Sequence, residues 1–173
     1  MSDSCCVPRD RKDKERLPVK IGRVLLDSGV QALLLHRLAH AVHRCGIPVL
    51  PALIRRFNIV FTGADIHPAA AIGKQVSLIH STGIIIGQGV VVEDGCEIFG
   101  GVVLGGAGGG NINDGFPHIK YDTVIGVGAK VLGRVTIGCR TTIAAGAVVL
   151  SSMPERSLVV GMPAGVKKIY GDN

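Results

Sequence analysis

Residues 125–150 read IGVGAKVLGRVTIGCRTTIAAGAVVL, and an aliphatic residue returns every six positions, at Ile125, Val131, Ile137, Ile143 and Val149. Four residues after each of the first four comes Ala129, Val135, Thr141 or Ala147, small enough for a crowded interior. A period of six fits neither an amphipathic helix at 3.6 nor a half-buried strand at 2. It fits short strands separated by turns in a coil. A Val-rich sandwich would alternate by two instead.

Carried backwards, the register meets Ile66, Ile72 and Leu78, skips two residues, and resumes at Ile86, Val92, Ile98 and Leu104. The matching inner positions are Ala70, Val76, Thr82, Val90, Cys96 and Val102. The expectation is therefore a mainly β protein, a parallel β-helix of hexapeptide repeats. Its low aromatic content, 3%, and its 25 glycines suit a narrow solenoid interior filled by aliphatic and small side chains.

Before the coil, Val24, Leu25, Ala32, Leu35, Leu38, Ala39 and Val42 recur at helical spacing, and Gly46 and Pro48 stop the pattern. A second short helix fits Pro51 to about Val60. The chain divides into a flexible charged lead (1–18), a helical cap (19–63), the coil (64–166) and a tail (167–173). The cap hides the first open rung, as solenoids require.

Between Leu104 and Val124 the register disappears, in a glycine-rich stretch that makes 105–123 the candidate active-site loop. Long loops inside compact repeats usually carry function. No G-x-x-x-x-G-K-[ST] is present, which excludes a nucleotide-hydrolase reading.

The formal net charge is +6, with much of the basic excess at the two ends. No aromatic stacking platform accompanies it, so no nucleic-acid partner is expected. A polyanionic cofactor is as good a partner for the charge. No membrane span is expected, since the longest apolar run is broken by Asp27, His36, Arg37 and His40. Without an apolar signal region the expected location is cytoplasmic. His36, His40 and His43 share a helical face, but no carboxylate or thiol joins them, so helix packing is the reading and no metal is expected.

His80 sits near a turn of the coil, in LIHSTG, and Asp65 precedes it by fifteen residues, on the neighbouring rung. A carboxylate beside an imidazole fixes its tautomer and stabilises the imidazolium, the arrangement that deprotonates an alcohol. Residue type alone also allows a turn histidine held by backbone and an Asp65 that caps the helix-to-coil junction. No G-x-S-x-G elbow occurs, so direct transfer to an acceptor hydroxyl is preferred to covalent catalysis.

DIHPAAAIGKQVSLIHSTGIIIG at 65–87, GGVVLGG at 100–106, IGVGAKVLGRVTIG from 125, AAGAVV and VVGMPA resemble the serine O-acetyltransferases of the hexapeptide acyltransferase superfamily. The resemblance covers roughly residues 34–166, including LHRLAH in the cap. It implies a left-handed β-helix, a homotrimer, and transfer of acetyl from acetyl-CoA to serine. A sugar or specialised-metabolite hydroxyl is the alternative acceptor, and a non-catalytic hexapeptide scaffold the competing class. On this resemblance His80 is the general base and Asp65 its partner, Gly105 and Gly106 open the active-site loop, and Val127 and Ala145 meet the pantetheine arm of acetyl-CoA.

Three departures stand out. Ile79 replaces an acid that serves the ammonium of serine. Gly115, Phe116, Pro117 and His118 occupy the place of an Arg-His pair, so the carboxylate clamp has no counterpart there. His118 is the candidate for the second histidine, with Ile79 and Phe116 expected against the acceptor and His118, Lys120 or Asp122 meeting its charges. The helical part is short and the end, Gly171, Asp172 and Asn173, lacks a terminal isoleucine. A single trimer without C-terminal docking on the cysteine-forming enzyme is the expectation.

Overall fold

The computed structural model describes residues 26–107 and 115–169. The charged lead, the start of the cap, the middle of the loop and the last four residues lie outside them.

Among the described residues two helices precede fifteen short strands. Helix α1 spans Ser28–Arg44 and α2 spans Leu50–Thr62. The strands are β1 Asp65–Ile66, β2 Ala71–Ile72, β3 Ser77–Ile79, β4 Ile85–Ile86, β5 Val91–Val92, β6 Glu97–Phe99, β7 Val103–Gly105 and β8 His118–Ile119. They continue as β9 Val124–Ile125, β10 Lys130–Leu132, β11 Thr136–Ile137, β12 Thr142–Ile143, β13 Val148–Val149, β14 Ser157–Gly161 and β15 Ala164–Ile169. From β1 to β10 each strand pairs in parallel with the one three further on, and β12 pairs in parallel with β14. This wraps the chain into three flat faces: β1-β4-β7-β10-β13, then β2-β5-β8-β11, then β3-β6-β9-β12-β14. On the third face β15 folds back antiparallel to β14 and closes the coil. The parallel β-helix expected from the period of six is the architecture observed.

The core is the column of anchors. Ile66, Ile86, Ile98, Leu104, Ile125, Val131, Ile137, Ile143 and Val149 are each 0–1% exposed. Cys96 fills an inner small position, and burial pushes its thiol up to about 12. Two details of register differ from the sequence reading. Thr82 is exposed, and Ile84 takes the inner place before Ile86, because the two extra residues are spent on a wider corner at 80–83. The coil also resumes earlier than Val124. Strand β8 restores the register with Ile119, fully buried six residues before Ile125, so the interruption closes at Pro117.

Helix α1 starts at Asp27, whose Oδ1 accepts from Gly29 N at 2.9 Å and Val30 N at 3.3 Å. Gly29 lies so close to the coil that a Cβ there would fall 2.0 Å from the Leu78 carbonyl oxygen. A buried polar chain ties the cap to the first corner. Asn58 Nδ2 donates to Ala32 O at 3.0 Å, the Thr62 hydroxyl donates to Asn58 at 2.8 Å, and Ser81 Oγ donates to Thr62 O at 2.6 Å. Replacing Asn58 by Ala removes the donor to Ala32 O and one of the two acceptors of the Thr62 hydroxyl, which keeps the Asn58 carbonyl, at a cost of about 1–3 kcal/mol. Thermal melting should show a fall of several degrees; an unchanged midpoint would mean that water replaces the amide without loss.

His36 is 3% exposed and its Nδ1 has no hydrogen-bond partner among the described residues. His40 lies on the same face with Nδ1 2.7 Å from Pro68 O. Burial first, then His40 and Arg37, lower the His36 pKa from 6.5 to about 4. The unfolded chain therefore binds a proton that the folded chain refuses between these values, and stability falls as pH drops through that window, by roughly 3 kcal/mol in total. His67, also lowered chiefly by burial, adds in the same direction. Urea midpoints at pH 7 and pH 5 should differ less for His36→Met than for the unaltered protein. Parallel losses in both would assign the effect elsewhere.

Candidate active site

The candidate residues lie on two edges of the coil. One edge joins the third face to the first. Its corners stack through hydrogen bonds from Gly83 N to Gly63 O (2.9 Å), Gly101 N to Thr82 O (3.0 Å), Gly128 N to Gly100 O (3.0 Å) and Gly146 N to Val127 O (2.8 Å). All four donor glycines have φ between 68° and 75°, the left-handed region that a side chain disfavours. His80, Val127 and Ala145 all sit on this edge.

His80 follows β3 at the corner and is exposed, with φ 57°. A left-handed non-glycine residue costs of order 1–3 kcal/mol. His80 shares this backbone with Asp122, Arg140 and Arg156, so its exposed place on this edge is what sets it apart. The corner is also sterically closed beneath it, since a Cβ on Gly100 would lie 2.6 Å from the His80 carbonyl oxygen. Val127 is 56% exposed, and Ala145 is exposed one turn further along. An added Cβ at Gly128 or Gly146 meets nothing within 4 Å. The edge is thus open and smooth below His80.

Asp65 stands on the first face beside the same corner, with its N–H donating to Ile84 O at 2.8 Å. Its carboxylate takes two hydrogen bonds from Arg55 of α2, Nε to Oδ1 at 2.5 Å and Nη2 to Oδ2 at 2.9 Å. No hydrogen bond joins Asp65 to His80 among the described residues. Sequence reasoning missed Arg55, since nothing in its helical spacing marks it.

On the other side of the corner a cleft of about 730 Å³ separates the start of α1 from β3. His80, Ile79, Ser77, Asp27 and Glu97 line it. Two carboxylates thus stand in the cleft that contains Ile79. Asp27 was visible in sequence only as a break in an apolar run.

Gly105, Gly106 and His118 belong to the next edge, between the first and second faces. Gly105 ends β7 with open space around it. Phe116 does not join His80: it packs over the neighbouring corner, where a Cβ on Gly89 would come within 2.2 Å of its ring. It anchors the end of the loop. His118 begins β8, with Nε2 2.6 Å from Glu93 Oε1, while Glu93 Oε2 accepts from Tyr121 N at 3.2 Å. Glu93 is a second partner that the sequence did not reveal. One chain therefore gathers His80, Asp65, Val127 and Ala145, and sets Gly105, Gly106 and His118 one face away.

Among the described residues no group of three or more His, Cys, Asp or Glu side chains is placed to hold a metal ion, and no helix is long and apolar enough to cross a membrane.

No protein-family model matches the chain. It is 41% identical over 138 residues to a serine acetyltransferase of Synechococcus elongatus, covering 80% of this chain and 56% of that protein. It is likewise 41% identical over 154 residues to a serine acetyltransferase of Bacillus pumilus, covering 86% and 70%. The crystal structure of serine acetyltransferase from Brucella abortus strain S19 in complex with coenzyme A superposes with a TM-score of 0.84 at 36% identity, over 95% of this chain and 64% of that one. The chain thus spans between 56% and 70% of the length of these relatives. Identity of this level over most of the chain, on the same parallel coil, means that the protein belongs to the serine acetyltransferase family.

Proposed function

We propose that this chain is an acetyl-CoA-dependent O-acetyltransferase acting on the hydroxyl of serine. The observation that carries the reading is the edge on which a strained, exposed His80 stands above Val127 and Ala145, in a chain of this family. An extended thioester arm fits an edge whose outward positions are glycine or small. Acetyl-CoA brings the activated acyl group.

His80 accepts the hydroxyl proton as the serine oxygen bonds to the thioester carbonyl carbon. The carbon–sulfur bond then breaks, and His80 returns the proton to the departing sulfur. The products are O-acetylserine and free CoA. Asp65 supports His80 from the adjoining rung. Its oxygens accept from Arg55, and each retains a lone pair with which to receive an imidazole N–H. Asp27 and Glu97, in the cleft beside Ile79, give the serine ammonium an acidic neighbourhood. We place the enzyme in the cytoplasm.

The assembly follows from the two edges. The loop edge with Gly105, Gly106 and His118 reaches His80 when it comes from a second copy of the chain, as a homotrimer around the coil axis provides. Exposed apolar side chains support such an assembly: Leu53, Phe57, Val60 and Phe61 of α2 are 55–79% exposed, and Ile85 on the coil is 44% exposed. In this trimer His118, held by Glu93, faces the neighbour's acceptor site as the second histidine.

Incubation with acetyl-CoA and L-serine, followed by free thiol and the mass of the acetylated product, tests the activity directly. His80→Ala should keep its fold and lose about 10²- to 10⁴-fold in kcat, the range of a general base. Retention of near-normal kcat would remove His80 from that role. Light scattering should report three chains per particle, and a monomer or a six-chain particle would contradict the trimer.

A further inference from the structure

The Arg55–Asp65 pair carries more than a structural tie. Guanidinium is a planar fork with five N–H donors. Asp65 engages it through Nε and Nη2. Nη1 makes no hydrogen bond among the described residues, so the end of the fork formed by Nη1 and the second N–H of Nη2 remains for another anion. The side chain is 33% exposed, open enough for a small solute to reach.

Its position is fixed relative to the corner. Asp65 N bonds to Ile84 O, and Ser81 Oγ bonds to Thr62 O at the end of the helix that bears Arg55. The guanidinium is thus fixed beside Asp65, whose strand pairs with the one that follows the His80 corner. Among the other described arginines of the cap, Arg37 donates to the carbonyls of Gly73 and Lys74, and Arg44 and Arg56 are exposed. At the loop, Gly115 and Phe116 offer no charge at all.

We propose that Arg55 is the carboxylate clamp of the acceptor site, holding Asp65 with one edge and the α-carboxylate of serine with the other. A carboxylate matches the spacing of the guanidinium fork and is bound by two parallel, charge-assisted hydrogen bonds. Arg55 is then a specificity-determining residue contributed by the helical cap. This inference rests on the serine acetyltransferase reading.

The test compares L-serine with L-serinamide, which keeps the hydroxyl and the amine but lacks the carboxylate, using the full chain and acetyl-CoA. The unaltered enzyme should prefer L-serine. In Arg55→Gln the ratio of kcat/KM for L-serine to that for L-serinamide should fall by about 10- to 100-fold. Arg55→Lys, with a charge but no fork, should give a smaller fall. Any contribution of Arg55 through Asp65, and any loss of folded protein, is common to both acceptors and cancels in the ratio. An unchanged ratio in Arg55→Gln overturns the assignment and leaves Arg55 as a strut between cap and coil. If the unaltered chain acetylates neither acceptor, the activity reading itself fails, and the clamp with it.

Discussion

The constraint on which the structure depends is the left-handed corner repeated along one edge of the coil. At each corner the chain must turn onto the next face within a few residues while its N–H groups reach the carbonyls of the corner before. Gly83, Gly101, Gly128 and Gly146 meet both demands, with positive φ and hydrogen bonds of 2.8–3.0 Å to the preceding corner. A Cβ on Gly83 would lie 3.4 Å from Gly101 Cα, and one on Gly101 3.5 Å from Gly128 Cα. The edge is therefore bare backbone over several rungs. Under the proposed function, this bare edge is the surface along which the thioester arm would lie.

The cap supplies what the coil cannot. A hexapeptide coil is mostly small and aliphatic, and near its first corner it brings the carboxylates of Asp65 and Glu97, to which the cap adds further charged groups. Helix α1 brings Asp27 to the cleft beside His80 through the close approach of Gly29, and α2 brings Arg55 to Asp65. The buried run from Ala32 through Asn58 and Thr62 to Ser81 makes these placements rigid. Isolated polar groups at 0–5% exposure would be costly, and satisfied ones fix a unique geometry.

The coil was legible because its signal is local and repeated: each anchor predicts the next. The reading slipped where the period was broken. The period of six from Leu78 points Thr82 inward, whereas the corner at 80–83 absorbs two residues and the inner place falls to Ile84. Ile119 escaped because a single strand between a long interruption and Val124 has no neighbour on one side to establish phase. Arg55 and Glu93 were illegible for a different reason. Their partners, Asp65 and His118, lie ten and twenty-five residues away, and only the stacking of rungs decides which of many carboxylates and cations meet.

Glu93 and His118 show why a carboxylate beside an imidazole does not by itself identify a general base. Their contact, 2.6 Å, is the imidazole–carboxylate hydrogen bond sought in sequence between Asp65 and His80. Yet His118 sits in a regular strand, flanked in register by Val91 and Thr136, and its ring is turned to a carboxylate that also accepts Tyr121 N. Its backbone is that of a regular strand, although its side chain is 41% exposed. His80 has a different character: left-handed backbone, exposure, and a smooth edge leading away from it. Backbone strain is retained only where the surrounding structure enforces it, and the enforcement at His80 comes from Gly100 below and Ser81 alongside. The two histidines thus differ in what a general base needs. Under the proposed function both reacting groups would converge on the base from outside the chain, and in this coil His80 is the histidine exposed on the glycine-rich edge.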